Sequence, residues 1–516
     1  MGSVVNQLTK MKAIVLEMSS GDGALKRVLG PVALVSLGIG GIIGAGIFVL
    51  TGEVAAQYTG PAIVLSLVIT GIGCGFAGLC YAEMASMIPV AGSAYTYAYS
   101  TMGEAIAWII GWDLILEYAL GAATVAVGWS GYLVSFLRMF GLAIPAQLAA
   151  ASGTQLVKVD GSWVVYTAQL VSDLANKGTD VHLLPHVTAL FNLPAFFIIL
   201  LVTLVLIVGI RESTLFNNLV VGLKLLILFL FIGAGLIFLL RNFGVWVENW
   251  KEFIPPNQGG FGKYGWSGIL RGSGVIFFAY IGFDAVSTAA QEAKDPRRDL
   301  PIGILGSLAV CTVLYIAVST ILTASVHYTH LMVPDPVAVG IDAMGATWLS
   351  PVVKLGALAG LSSVILVLLL GQSRIFWTMA CDGLLPTSFA KVHPRFKTPY
   401  VTTAITGVAV AFVAALTPIR ILGELVSIGT LLAFIIVCAG VWVLRKTRPE
   451  LKRSFRTPWV PFVPLMGILV CLVQMVSLPS ETWIRLLIWM VIGIACYGLY
   501  GFHHSVLREG NAPRKV

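Results

Sequence analysis

The chain has 516 residues, 58% of them hydrophobic and 11% charged, with a mean hydropathy of +0.91. A soluble domain carries about 25% charged residues, so the composition excludes a soluble enzyme and predicts a polytopic membrane protein. The formal charge of +8 would suggest an acidic partner in a soluble chain. Here the basic residues crowd particular loops and report topology, and no nucleic-acid partner is implied.

The first 30 residues are polar and mildly basic, show no cleavable signal peptide, and predict a cytoplasmic lead-in that ends at Pro31. A span needs about 20 apolar residues. Twelve segments qualify, at 31–52, 61–86, 103–137, 192–210, 215–240, 266–290, 302–325, 347–378, 400–416, 420–444, 457–477 and 483–503. Twelve is even, so both termini share a side. The loops on that side hold about twenty basic residues, including the run "RKTRPELKRSFR" at 445–456, which predicts cytoplasmic termini. The loop at 139–191 then faces outside. Seven cysteines (74, 80, 311, 381, 438, 471 and 496) have no CxxC spacing, and the histidines have no metal-ligand spacing. No disulfide framework, metal or cofactor is expected.

The first segment contains "SLGIGGIIGAGIFVLTG", with Gly38, Gly40, Gly41, Gly44 and Gly46 in close succession. Each glycine weakens a helix by about 1 kcal/mol relative to alanine. Close helix packing through small residues is one explanation. The sixth segment, "GVIFFAYIGFDAVS", repeats the feature with Gly274, Gly282 and the intramembrane Asp284. Unwound backbone survives in a bilayer only where it lines a cavity, and interrupted spans at matching places in two halves of a chain point to a transport site. Free N–H groups after Gly44 would face a carboxylate. Free carbonyls around Phe278 and Ala279 would accept hydrogen bonds from an ammonium group. Together they suit an amino-acid zwitterion.

Ionisable residues in mid-span are functional candidates. Lys224, in "VVGLKLLILFL", has no acidic residue within a helical turn; it either carries a coupling proton or snorkels to the interface. Asp113 and Glu117 are spaced i, i+4 on one face of the third segment, where like charges repel. In the plain structural reading, Glu117 makes a helix-packing hydrogen bond. Asp284 either caps the inner half-helix or takes part in coupling. In the eighth segment, Ser362, Ser363 and Leu368 form a mostly apolar wall with no acid to meet a guanidinium, which favours a small neutral substrate over arginine. The polar stretch "QEAKDPRRDLP" at 291–301 suits an inner hinge or gate, or a solvated loop.

"GIGGIIGAGIFVLTG", "GWDLILEYALGAATVAVGWSGYL", "NNLVVGLK", "FFAYIGFDAVSTAAQEAKDPRRDLPIGI" and "GQSRIFWTMACDGLLP" together resemble the cationic amino acid transporter family of the amino acid–polyamine–organocation superfamily. The likeness runs from about residue 24 to 505 and looks like the bacterial branch, several of whose members carry neutral amino acids. It implies an all-α polytopic protein with a leucine-transporter-like fold. Inverted five-helix repeats would occupy 31–240 and 266–444, two further helices 457–505, and a cytoplasmic tail 506–516. The first and sixth helices would be broken.

The resemblance further implies that Ile42, Ala45 and Gly46 hold the substrate carboxylate through backbone, and that Phe278, Ala279 and Ile281 hold the amine through carbonyls. Phe278 would also lid the site. Ala45 departs from relatives with a hydroxyl residue at that place. Lys224 falls where sodium-coupled members bind their ion, and Glu117 matches a glutamate that reaches toward the site. The expected function is proton-coupled symport of amino acids across the inner or plasma membrane, with small neutral L-amino acids such as alanine as substrates. The alternative is cationic amino acid transport or amino acid/amine exchange. Substrate, protons and the lipid bilayer are the implied partners, and no accessory subunit is implied.

Overall fold

Proline punctuates the apolar segments. Pro31, Pro194, Pro296 and Pro351 occupy the first two positions of their helices, and Pro399, Pro418, Pro461 and Pro479 stand immediately before theirs. A helix start leaves N–H groups without partners, and proline at the first position has no such group to leave. The computed structural model describes residues 29–88, 93–159, 161–166, 170–171, 174–175, 178–209, 214–289 and 293–508. The expected N-terminal segment up to residue 28, the tail beyond Arg508, and Gln291 and Glu292 of the candidate hinge lie outside the described residues.

The described chain is predominantly helical, and we number its helices in order. The first is α1 (Pro31–Ile42), followed after three residues (Ile43, Gly44 and Ala45) by α2 (46–59), which mixes π and α turns. Gly60, at φ +60°, reverses the chain into α3 (Ile63–Met87). A short helix, α4 (Ser93–Thr101), precedes α5 (Glu104–Arg138), which contains a π turn over Leu116–Leu120. Next come α6 (Leu193–Val208), α7 (Thr214–Arg241), α8 (Phe243–Asn249) and α9 (Gly265–Ile276). The remainder are α10 (Pro296–Ser325), α11 (Pro336–Ala343), α12 (Ser350–Cys381), α13 (Tyr400–Leu416), α14 (Ile419–Thr447), α15 (Phe462–Ser477) and α16 (Ser480–His504).

Among the described residues, eight helical stretches are long and apolar enough to cross a membrane, and four shorter apolar helices (α1, α6, α13 and α15) accompany them. They overlap the apolar segments read from the sequence. The loop after α5 carries a three-stranded antiparallel sheet of β1 (Gln155–Val159), β2 (Ser162–Val165) and β3 (His186–Thr188) in the order β2-β1-β3. Leu156 pairs with Val165 on one side and Val187 on the other, over a small core with Ala146 and Ala189.

α10 lies against both α1 and α3, α12 lies along the second half of α5, and α7 touches α1, α10 and α12. Small residues permit these approaches. A Cβ at Gly38 would run into Ser307, one at Gly356 into Ile227, and one at Gly407 into Thr203.

One end of the bundle is tied by a buried ion cluster. Glu83, near the end of α3, receives Arg445 of α14 through Nε and an NH2 group, both at 2.8 Å, and Arg453 through Nε at 3.0 Å. The Thr457 N–H adds a fourth bond at 2.7 Å. Arg453 also donates to the carbonyls of Leu444 and Arg448, which capping groups satisfy at helix ends. Glu83→Ala strands two arginines and is expected to destabilise the protein by about 3–5 kcal/mol. Thermal unfolding of the purified protein measures this, and an unchanged midpoint would refute the cluster's structural role.

Candidate functional site

In an unbroken helix the carbonyls of Gly40, Ile42 and Ile43 would receive the N–H groups of Gly44, Gly46 and Ile47. Here they do not. α1 stops at Ile42, and Ile43 is extended (φ −71°, ψ 95°) with its N–H on the Ile39 carbonyl at 2.9 Å. Helical bonding resumes with Phe48 N–H to the Gly44 carbonyl at 3.2 Å. Lys224 of α7 takes two of the abandoned carbonyls, its Nζ donating to Gly40 at 2.7 Å and to Ile43 at 3.0 Å. The third, on Ile42, faces the Tyr315 hydroxyl of α10 at 2.7 Å. Lys224 is fully buried and does not snorkel. The N–H groups of Ala45, Gly46 and Ile47 precede the first donor of the second half, as at any helix start.

A second interruption lies directly opposite. α9 gives way to a 3-10 turn over Phe277–Tyr280, Ile281 is extended, and a second 3-10 turn runs over Asp284–Ala289. Gly282 makes the bend at φ +115°, a conformation that favours glycine. The two interruptions touch through backbone. A Cβ on Gly282 would lie 2.8 Å from the Gly41 carbonyl, and a Cβ on Gly46 would overlap the Cα of Ala279. Tyr315 joins them, because its hydroxyl lies 2.8 Å from the Ala279 carbonyl as well. A tyrosine has one proton to donate, so one of these two carbonyls lacks it at any instant. The Phe278 carbonyl accepts the Ile281 N–H at 3.2 Å and retains a second lone pair.

Ile42, Phe278, Ala279 and Ile281 are all buried. Gly44 faces Val364 of α12, whose Cγ2 would be 3.2 Å from an added Cβ. Ala45 faces Gly128 of α5, and Leu368 faces Gly121. Ser362 and Ser363 turn back on α12, donating to Leu358 and Gly360 carbonyls at 2.8 and 2.9 Å, while Trp129 donates to the Ser362 hydroxyl. Val364, Gly128 and Tyr315 were not singled out in the sequence. Each looks like ordinary packing there, and only the touching helix gives it a role.

The acidic candidates gather below the interruptions. Asp284 accepts the Tyr118 hydroxyl at 2.7 Å and the N–H groups of its own turn, the geometry of a cap. Glu117, in the π turn of α5, is buried and faces the side chains of Asp284 and Thr430, with Asp113 a further electrostatic neighbour. Asp113 is also buried, beside Gly429 of α14, and has no hydrogen-bond partner among the described residues. Tyr118, adjacent to Glu117 in the chain, is the residue this cluster adds to the sequence reading.

On the other side of the interruptions, the segment around α11 covers α5 and α12. Pro334 sits against Gly131, and Asp335 accepts Ser135 at 2.5 Å and faces Lys354 at 3.7 Å. Burial pushes the Asp335 carboxyl above the usual carboxylate range, against the opposing pull of Ser135 and Lys354.

One family profile and several individual relatives match most of the chain. A family profile described as amino acid permease matches residues 29–497. The branched-chain amino acid permease BcaP of Bacillus subtilis (strain 168) is 44% identical over 492 residues, covering 95% of this chain and 96% of the relative. The methylthioribose transporter of the same organism is 42% identical over 494 residues, covering 96% and 97%. Cationic amino acid transporter 4, vacuolar, of Arabidopsis thaliana is 35% identical over 449 residues, covering 86% and 68%.

The contact between interruptions sets up a graded test. Gly46→Ala puts a methyl into backbone, which no rotamer relieves, and is expected to cost about 1–3 kcal/mol. Gly44→Ala meets only the Val364 side chain, which can shift, and is expected to cost less than about 1 kcal/mol. Thermal unfolding of both variants compares them, and a larger loss for Gly44→Ala would contradict the observed contact.

Proposed function

The chain belongs to the amino acid permease family, and on that premise we propose that it is a proton-coupled symporter of small neutral L-amino acids, such as alanine, across the inner or plasma membrane. In this reading twelve spans form a leucine-transporter-like core of two inverted five-helix repeats, 31–240 and 266–444, with two added helices and both termini cytoplasmic. α1 with α2 is the first broken helix, and α9 with the turn at Asp284 is the sixth. The observation that carries the reading is the pair of interruptions meeting at Gly46 and Ala279. One offers N–H groups at a helix start, the other offers carbonyls, and an amino acid has one group for each.

The carboxylate is then held by backbone at Ile42, Gly44, Ala45 and Gly46, aided by the positive end of the helix dipole. The amine is held by carbonyls of Phe278, Ala279 and Ile281. Tyr315 shares its single proton between Ile42 and Ala279, which leaves room for a substrate amine on one of them. Phe278 lids the site, and Leu368 with Val364 forms the apolar wall that meets the substrate side chain.

Lys224 is the proposed coupling group. As an ammonium it braces the carbonyls of Gly40 and Ile43, the task a bound cation performs elsewhere in this fold. Losing its proton weakens that brace, which links protonation to the shape of the site. Glu117 and Asp284 are the proposed partners in moving the proton.

A second substrate reading has its own support. Similarity to a branched-chain amino acid permease at 44% identity favours valine, leucine or isoleucine over alanine within the same neutral class. The relative named for methylthioribose is a reason to include that compound among the competitors.

The test is uptake of labelled alanine by the protein in liposomes. Uptake is expected to rise with an inward proton gradient and to ignore sodium; dependence on sodium alone would refute proton coupling. Lys224→Met is expected to cut gradient-driven uptake about tenfold or more, the size of losing a charged hydrogen bond. Arginine or lysine displacing alanine at equal concentration would replace the neutral reading with the cationic one, and stronger displacement by leucine or valine would establish the second. Leu368→Ser is expected to admit longer side chains while alanine uptake stays measurable.

A further inference from the structure

At the end of the bundle beneath the second interruption, one buried carboxylate holds three hydroxyls from three parts of the chain. Glu104, at the start of α5, is fully buried. It accepts the Tyr99 hydroxyl of α4 at 3.1 Å, the Tyr497 hydroxyl of α16 at 2.7 Å, and the Ser505 hydroxyl just past α16. A second acid repeats the pattern beside it. The Asp382 side chain, past the end of α12, accepts Tyr95 of α4 at 2.9 Å, while its backbone carbonyl accepts the Val506 N–H at 3.1 Å. Gly383, at φ +79°, has no room for a side chain because the His504 carbonyl lies against it. The last described stretch of the chain is therefore seated in a fitted groove.

α4 is the element both acids hold. It has nine residues, fewer than an isolated helix needs to persist in water, so its place depends on what grips it. Its remaining tyrosine, Tyr97, is fully buried and faces Ser287 in the turn after Asp284. The helix thus lies across the chain that leaves the second interruption, and α4 packs against that turn directly.

We propose that residues 497–508 are a clasp that keeps this side of the protein shut. By sharing Glu104 with Tyr99 and Asp382 with Tyr95, they hold α4 beneath the second interruption, and opening requires the clasp to release. Taken with the transport reading, this is the cytoplasmic gate, and the C-terminal segment sets how often it opens. The carboxylates need not change their own positions. Withdrawing Tyr497 and Ser505 removes two of three donors from Glu104, and it removes the seat against Asp382 and Gly383.

The test uses the full-length protein in detergent, with Ser287→Cys as a reporter for a polar maleimide and Ser477→Cys, buried in α15, as the reference. Labelling over the same protein without the added cysteine corrects for the seven native cysteines. Adding Tyr497→Phe and Ser505→Ala is expected to speed labelling at 287 about tenfold, because the rate follows the fraction of open molecules, and to leave labelling at 477 unchanged. Equal rates at 287 with and without the clasp substitutions would overturn the proposal. So would equal acceleration at both sites, which marks general loosening. If the double variant aggregates, Ser505→Ala alone is read by the same two outcomes. No substrate or gradient enters the measurement, so a negative result leaves the substrate and coupling reading to its own uptake test.

Discussion

A carbonyl abandoned by a helix inside an apolar medium has to be claimed by another donor, at several kcal/mol if it is not. Lys224 answers that need for two carbonyls of the first interruption, at Gly40 and Ile43, and the surrounding structure is arranged to let it. Its stem lies against Gly360 of α12, where an added Cβ would come within 3.1–3.2 Å of it. One side chain thereby joins α7, α12 and the end of α1. The second half of that segment is free to start afresh at Gly44 because the first half no longer needs its N–H groups.

The second interruption is tied to the first by geometry. Gly41, Gly46 and Gly282 bring two stretches of irregular backbone within contact distance, and the Tyr315 hydroxyl spans them. Backbone this close leaves no space for side chains, so the groups presented between the two stretches are mainly N–H and C=O. Recognition by backbone is sensitive to the shape of the chain and indifferent to most side-chain chemistry.

Much of this was legible in the sequence. Glycine density in the first segment, repeated at Gly274 and Gly282, is a feature of local backbone, and local features survive translation into one dimension. Lys224 was visible because a lone cation in an apolar run has no local excuse. What stayed hidden were residues whose role is set by another helix. Tyr315 in "CTVLYIAVST" and Val364 in "SSVILVLLL" read as core, and Ser362 and Ser363, expected to face the site, bond their own helix. The sheet at 155–188 and the nine-residue α4 were missed for a different reason. Both depend on seating against neighbours rather than on a long apolar period.

The buried acids divide by what neutralises them. At the ends of the bundle Glu83 has Arg445 and Arg453, Asp335 has Lys354, and Glu424 has Arg420 and Arg485, each 3.8 Å away. These are cross-links between elements, and their counter-charges account for them. Glu117 and Asp113 lie within α5 with no cation against either among the described residues; Asp113 has no hydrogen-bond partner there, and Glu117 faces Asp284 and Thr430. An ion-pair cross-link does not explain Glu117, whose neighbours are Asp284, Asp113 and Thr430 rather than a cation. Hydroxyls and protons are the chemistries left to such a group, and Tyr118 already brings the first of these to Asp284. Neutralisation by a counter-charge, which accounts for Glu83 and Glu424, therefore does not account for Glu117, which is buried beside a second acid.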